Sequence, residues 1–372
     1  MKSILSSSIA IPDATPQIKF FKELNKTIGS LKIPLIDRTQ TIDSPIRYKV
    51  TQEYQLQPGR CITSFSYEEC CLRKAEEIVR IQDLIQKPIA VSYSGGIDST
   101  AIVCSFIHLL GIKEAARRVH IYMSTDSIFE YPKFFSDTLL PNFNIFPITR
   151  FVDCFGSQNI FVDGEPNGII LFAVDWLAQS KDTFGIDFFK GPVTADSIDV
   201  IAKNIKFNYS QNHVQALYEM TRVSAETFGI KLENMLDWIW WFNFNFRYQW
   251  FSYKDIRKFR VYYPHFHMDH NFFKSHFICF FDSDDFQNWS INNRQRQFEN
   301  FDPRKFKLPC KDLIYKVTGD PLYWRLKGKV GSGAYPVKME HFVFGVDEDY
   351  KPVSELEIEN YLVDSAFLSS FI

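Results

Sequence analysis

The stretch Ser94-Gly95-Gly96-Ile97-Asp98-Ser99 holds the residue types and spacing best suited to chemistry in this chain. It follows the apolar run Pro88 to Tyr93 and precedes Thr100-Ala101-Ile102-Val103-Cys104, a pattern that predicts a strand, a tight turn and a helix start. Two adjacent glycines let successive backbone N–H groups curl round an anion with no Cβ in the way, and the following helix turns its positive end to the same point. Ser94 and Ser99 add hydroxyls. Asp98 is the odd member, because a carboxylate repels a phosphate unless a cation lies between them, and Mg²⁺ with oxygen ligands is the expected bridge. The set points to a nucleotide gripped by its pyrophosphate, with Mg²⁺ beside it. A glycine-rich turn capped by Asp98 and Ser99, with no ligand, is the alternative.

Elements must exist to hold such a loop. Ser66 with Glu69, followed by Ala75, Ile78, Val79, Ile81, Leu84 and Ile85, predicts a capped amphipathic helix running to Gln86. The loop-bearing strand comes next, then a helix from Ser99 to Leu110 ending at Gly111, a strand Val119 to Met123 and a strand Ile145 to Val152. Gly168 to Ser180 reads as a helix, and Gly185 to Phe189 as a short strand entering Lys190-Gly191-Pro192-Val193-Thr194-Ala195-Asp196. Alternating strands and helices predict an α/β fold with a doubly wound parallel sheet. Beyond Asp199 the pattern turns helical and aromatic, with helices expected around 210–228, 231–247 and 311–317. The expected organisation is a lead-in segment over 1–60, a nucleotide-binding α/β domain over 61–200, and a mainly helical region over 201–372 that completes the site.

Composition narrows the partners. The 372 residues include 45% hydrophobic types and 37 Phe, which predicts a substantial packed interior, while a net charge of −2 argues against nucleic acid. Small molecules are the expected ligands. Seven cysteines (Cys61, Cys70, Cys71, Cys104, Cys154, Cys279 and Cys310) make an odd set without a CxxC pair, read as reduced thiols. The start, Met1 to Pro12, is too weakly basic for a signal peptide, and the aromatic stretch Trp238 to Trp250 is broken by Asn243, Asn245, Arg247 and Gln249. A cytoplasmic enzyme with no membrane contact is the expectation.

The loop resembles the signature of the PP-loop ATP pyrophosphatase superfamily, whose adenine nucleotide alpha hydrolase-like fold serves enzymes that cleave ATP between the α and β phosphates. Later segments choose within it. Tyr323-Trp324-Arg325-Leu326-Lys327-Gly328-Lys329-Val330-Gly331-Ser332-Gly333 is similar to the W-R-x-K segment of the asparagine synthetase domain. Lys307 and Lys311, followed by Asp320-Pro321, resemble that family's basic helix and its Leu-Pro turn, and Tyr263 to Asp269 its Pro-Phe-x-Asp element. Gly191 to Asp196 stands where the family has a second glycine-rich loop with metal-holding acids. The resemblance, scattered over residues 60 to 340, is to a divergent member of the asparagine synthetase and β-lactam synthetase class.

It implies an ATP-dependent amide-forming ligase that adenylates a small-molecule carboxylate, releases pyrophosphate, and passes the acyl group to an amine or ammonia. Ser94, Gly95, Gly96 and Ser99 would grip pyrophosphate, with Met123 and Gly191 completing the nucleotide site. Asp98 and Asp196 would hold Mg²⁺. Lys327 would carry the transition-state charge. The sequence also departs from the family. Position 2 is Lys2 where the glutaminase domain of asparagine synthetase has its Cys nucleophile, so ammonia would come from a separate glutaminase subunit. Pro192 and Val193 precede Asp196, and Ser197 stands where a second acid is usual. Glu165, in Asp163-Gly164-Glu165-Pro166-Asn167-Gly168, is a replacement catalytic carboxylate or part of a turn, and both readings stay open. The alternatives are a PP-loop enzyme adenylating a nucleobase or nucleotide carbonyl, and a catalytically degenerate ATP-binding regulator.

Other candidates read more simply. His265, His267 and His270 with Asp269 lack a Cys partner at zinc spacing and read as packed or surface histidines. Arg294, Arg296, Arg304, Lys305, Lys307, Lys311, Lys316, Arg325, Lys327 and Lys329 concentrate charge late in the chain, and most of them read as a solvated face. Asp282, Asp284 and Asp285 read as a solvated turn. Trp238, Trp240, Trp241 and Trp250 read as core packing and not as a base-stacking platform.

Overall fold

The computed structural model describes residues 37–41, 65–124, 126–147, 160–173, 183–204, 211–248 and 277–328. The chain divides into an α/β unit, made of residues 63–167, 272–289 and 299–372, and a helical unit made of 1–62, 168–271 and 290–298. Residues 168–200, expected within the α/β domain, therefore group with the helical unit, while later segments return to the sheet. The helices used below are α1 (Tyr67–Ile85), α2 (Ile97–Leu110), α3 (Ile112–Arg118), α4 (Asp126–Glu130), α5 (Ala195–Asn204), α6 (Gln211–Phe228), α7 (Met235–Trp241), α8 (Asp284–Asn292), α9 (Leu308–Thr318) and α10 (Pro321–Leu326).

The α/β unit is built on five parallel strands, β1 (Ile89–Ser92), β2 (Val119–Met123), β3 (Asn144–Pro147), β4 (Ile160–Asp163) and β5 (Phe277–Cys279), in the order β3-β2-β1-β4-β5. Val91 of the central strand lies opposite Ile121 on one side and Val162 on the other. Ile89, Ala90 and Val91 are fully buried, the unbroken apolar run expected of a strand covered on both faces. Two strands run outward from β1 to β3, then the chain crosses back to lay β4 on the other side of β1. That order is the one found in doubly wound sheets, and it opens a crevice beyond the carboxyl ends of β1 and β4.

Helix α1 starts where its sequence signals it. The Ser66 hydroxyl accepts from the Glu69 N–H at 3.2 Å, and the Glu69 carboxylate accepts from the Ser66 N–H at 2.7 Å. It ends at Gln86, which takes a left-handed conformation. The two next elements also fall where expected, with α2 ending at Gly111 and β2 spanning Val119–Met123. Helices α1, α2 and α9 pack against one another, and Lys316 of α9 and His108 of α2 both reach Glu68 of α1, at 2.5 and 3.1 Å.

Several elements differ from the expectation. Gly185 to Phe189 is not a strand: residues Ile186–Lys190 form a short helix capped by Gly185. Phe184 stacks on Phe188 with ring centroids 4.7 Å apart, an i,i+4 contact available only to a helical turn, and Asp187 and Lys190 sit at the ends that suit the helix dipole. The helix expected from Gly168 to Ser180 is described only as Asn167–Ile170, with Phe172 and Ala173 at positive φ beyond it; residues 174–182 lie outside the described residues. The third strand spans Asn144–Pro147, and residues 148–152 lie outside the described residues as well. Asp284 and Asp285 open α8 instead of a turn, where their charge meets the positive helix end. Strands β4 and β5 were not foreseen.

In the helical unit, α7 begins at Met235, where the Asn234 side chain accepts from the Asp237 N–H at 3.0 Å, and it continues as a wider π-helical turn over Phe242–Phe246. Trp238, Trp240 and Trp241 are buried, and each indole N–H donates to a hydroxyl: Thr221 at 2.9 Å, Ser290 at 3.0 Å and Ser224 at 2.9 Å. Burying an indole requires such a partner, so these rings are core, as expected. Trp250 and the histidine group at 265–270 lie outside the described residues. Replacing Thr221 by Val removes the Trp238 acceptor while keeping the shape, and should destabilise the chain by about 1–3 kcal/mol in urea unfolding. An unchanged midpoint would contradict that pairing.

Candidate functional site

Strand β1 hands over to the loop without a break, since the Tyr93 N–H still donates to the Tyr122 carbonyl at 2.8 Å. The chain then turns on Gly95, whose φ is +75°. A Cβ there would lie 2.3 Å from the Ser127 carbonyl oxygen and 2.4 Å from Glu130 Cβ, so α4 packs onto the glycine face and admits no side chain. Gly96 is different. Its φ is −70°, and a Cβ would meet only the Ser94 hydroxyl, at 3.3 Å. Gly96 is the N-cap of α2 and gives the first-turn amides no side-chain hydrogen bond.

The two serines build the loop's shape. The Ser99 hydroxyl accepts from the Ser94 N–H at 3.1 Å, and the Ser94 hydroxyl accepts from the Gly96 N–H at 3.3 Å. Their hydroxyls lie 3.1 Å apart. Thr100, not foreseen, donates to the Gly96 carbonyl at 2.8 Å and so pins the helix start.

Asp98 projects from the first turn of α2 into a polar cluster beside the β1/β4 crevice. Lys307 places its ammonium 2.5 Å from Oδ2, and the Asn167 amide donates to Oδ1 at 2.6 Å. Asn167 is itself held: its Oδ1 accepts from the Tyr67 hydroxyl at 2.6 Å, and its Nδ2 also reaches Cys310 Sγ at 3.2 Å. Because the Tyr67 proton goes to Asn167, the Tyr67–Cys310 contact of 3.1 Å has the thiol as donor. Burial and the nearby Asp98 push the Cys310 thiol up to about 12, so it stays protonated and is no nucleophile. Burial likewise raises Tyr67 far above an ordinary phenol.

These donors decide how Asp98 is satisfied. Both carboxylate oxygens face proton donors, one an ammonium and one an amide NH₂. The residues around Asp98 therefore do not fit a divalent cation, which takes oxygen ligands. Glu165 begins beside this cluster. Its N–H donates to the Asp163 carboxylate at 2.5 Å, an Asx turn closing the end of β4, and a Cβ on the neighbouring Gly164 would come 3.2 Å from Asp98 Cβ.

Lys327 reaches the loop from the far side. Its ammonium donates to the Glu130 carboxylate and, at 2.8 Å, to the Glu130 carbonyl, and both residues are buried. Since Glu130 Cβ abuts Gly95, the lysine braces the floor of the loop. Helix α10, which carries Lys327 at its C-terminal end, is fixed by Asp320: one carboxylate oxygen caps Leu322 and Tyr323, and the other accepts from the Tyr131 hydroxyl at 3.2 Å. Tyr131 and Tyr323 stack with centroids 4.0 Å apart. Trp324 donates to Asp312 at 2.7 Å on α9.

Lys311 has another kind of partner. Fully buried, it donates to two main-chain carbonyls, of Arg304 at 2.5 Å and Lys327 at 3.2 Å. Burial lowers its pKa to about 8. Arg304, Lys305, Lys316 and Arg325 of the same basic run are exposed, the solvated face expected of them.

Met123 is fully buried at the end of β2. Gly191 and Asp196 belong to the helical unit, where Gly191 has an ordinary φ of −67° and the segment links two helices. Thr194 and Ser197 exchange N–H to hydroxyl bonds of 3.1 and 2.9 Å, a reciprocal cap for α5, with Asp196 in its first turn. Ser197 in the acid's place is thus a capping residue. Lys329 and Gly331 to Gly333 lie outside the described residues. The sequence reading missed Glu130, Asn167 and Tyr67. Only Glu130 had a signal, since a buried Lys327 requires a counter-charge.

The two glycines should separate on substitution. Gly95→Ala forces a Cβ onto backbone in a left-handed turn and should cost about 2–5 kcal/mol of stability, while Gly96→Ala should stay within about 1 kcal/mol. Equal losses in denaturant unfolding would contradict the geometry. Lys311 adds a pH signature. The folded chain releases its proton near pH 8 and the unfolded chain only near 10.5, so the unfolded state binds more protons between them and stability rises with pH there. The stability of the wild type relative to Lys311→Met should accordingly rise across that window in melts at stepped pH. A flat difference would contradict it.

Compared with protein-family models, with curated proteins and with solved structures, the chain matches none of them.

Proposed function

We propose that the chain is an ATP-dependent, AMP-forming synthetase of the PP-loop kind that activates a small-molecule carboxylate for attack by an amine or ammonia. One observation carries the reading: a glycine-forced loop runs from the central strand of a parallel β3-β2-β1-β4-β5 sheet into the uncapped start of α2. Backbone amides and a helix dipole converge there at the crevice where doubly wound sheets bind nucleotides. In the reaction, a carboxylate oxygen attacks the α phosphorus, the bond to the β phosphate breaks and pyrophosphate leaves. The amine then attacks the acyl carbon and AMP departs. The first turn of α2 holds the leaving pyrophosphate. Lys327 is assigned to bracing Glu130 beneath the loop, because withdrawing its ammonium would leave a buried carboxylate unpaired.

A second reading, an ATP-binding regulator without turnover, is favoured by the commitment of Lys327 to Glu130 and of the Thr194–Ser197 segment to capping α5. Chromatography of ATP incubated with the chain and pools of acids and amines separates the two. Stoichiometric AMP and pyrophosphate are expected, and ADP as the product would sink the adenylating reading. Nucleotide binding without any turnover would favour the regulator.

A further inference from the structure

We propose that the Lys307 ammonium occupies the place of a divalent cation beside the glycine loop, so that the loop binds its phosphate ligand without metal. The inference rests on the reading of Ser94 to Ser99 as a phosphate loop, and it concerns what neutralises Asp98 there. A carboxylate in the first turn of the phosphate-binding helix repels the ligand and must be compensated. The usual compensation is Mg²⁺, held by one or two carboxylates together with the phosphates themselves.

Here the positions such an ion would need are filled by donors. Lys307 sits on Oδ2 at 2.5 Å and the Asn167 amide on Oδ1 at 2.6 Å. Turning the Asn167 amide to offer its oxygen would break the bond from Tyr67 and put an oxygen against the carboxylate. The amide is thereby fixed with its NH₂ toward Asp98. Lys307 is fixed just as firmly: it is the left-handed cap of α9, its N–H donates to the Asn300 side chain at 3.2 Å, and its side chain is only 8% exposed. Asp98, at 30% exposure, is the open member of the pair. An anion arriving at the α2 amides therefore meets a carboxylate already carrying its counter-charge.

The pairing makes opposite demands of two variants. In Lys307→Met the carboxylate is left bare beside the ligand, and its oxygens become available to a metal. In Asp98→Asn the ammonium is left unneutralised and attracts the ligand more strongly. The probe is an ATP analogue with a methylene bridge between the α and β phosphates, titrated calorimetrically into the full chain in EDTA and then in Mg²⁺. Wild-type affinity should be at least as high in EDTA as in Mg²⁺. Lys307→Met should bind about tenfold or more weakly in EDTA, the loss of one charge-assisted bond, and recover with Mg²⁺. Asp98→Asn should bind as well as wild type or better in EDTA.

Binding by the wild type that appears only with Mg²⁺, or a loss of affinity in Asp98→Asn, would overturn the inference while leaving the loop reading intact. Absence of binding in both buffers would remove the loop reading and this inference with it. Circular dichroism checks the folding of each variant. Should Lys307→Met not fold, the wild-type comparison of EDTA with Mg²⁺ and the Asp98→Asn arm still decide.

Discussion

A buried ammonium has to be met by acceptors, and three of the lysines buried in the α/β unit lie at α9 and α10. Lys307 is met by the carboxylate of Asp98, Lys327 by the carboxylate and carbonyl of Glu130, and Lys311 by the carbonyls of Arg304 and Lys327. Desolvating a charge without such partners is costly enough that the group would lose its proton or the segment would move out. Together the three residues seat α9 and α10. Two of the carboxylates involved belong to the loop and its floor, so the ion pairs that secure these helices also hold the candidate site together. Burial among uncharged carbonyl partners lowers the pKa of Lys311 to about 8.

The loop itself depends on a steric condition. Gly95 lets α4 come so close that a methyl group would overlap main chain, and this contact sets the position of Glu130 relative to the turn. Gly96 faces no comparable obstruction. Two neighbouring glycines that look equivalent in sequence thus do different work, one packing the loop against α4 and the other leaving the helix start open.

Much of the α/β framework was legible in the sequence because its signals are local. The Ser66–Glu69 box, the apolar run of β1 and the glycine closing α2 each act over a few residues, and each element formed where those residues placed it. Strand β5 was missed since three residues carry too little periodicity to register, whereas β4 is as long as β1 and its apolar run Ile160-Phe161-Val162 was equally legible. The aromatic pair Phe188-Phe189 suggested a strand, yet the i,i+4 contact to Phe184 and the two end charges favoured a turn of helix. At the site, Ser94, Gly95, Gly96, Asp98 and Ser99 were legible as a motif. Their counterparts were not: Asn167 lies 69 residues from Asp98 and Glu130 lies 197 from Lys327, and only the folded sheet brings them together. The local context of Asp98 shows a stranded negative charge, and the lysine paired with it is 209 residues away.

The α/β unit is assembled from three stretches of chain, with β5 and the two lysine-bearing helices contributed last. During synthesis the ribosome releases β1 to β4, Asp98 and Glu130 long before Lys307 and Lys327 exist. Contacts at such separations are slow to close, since loop entropy must be overcome first. The nascent sheet accordingly emerges with both carboxylates lacking their eventual lysine partners and with β4 lacking its outer neighbour, a state that resists early collapse of the loop. The last stretch of the α/β unit acts as a clasp: only when it arrives are the charges quenched, which places completion of the glycine loop at the end of folding.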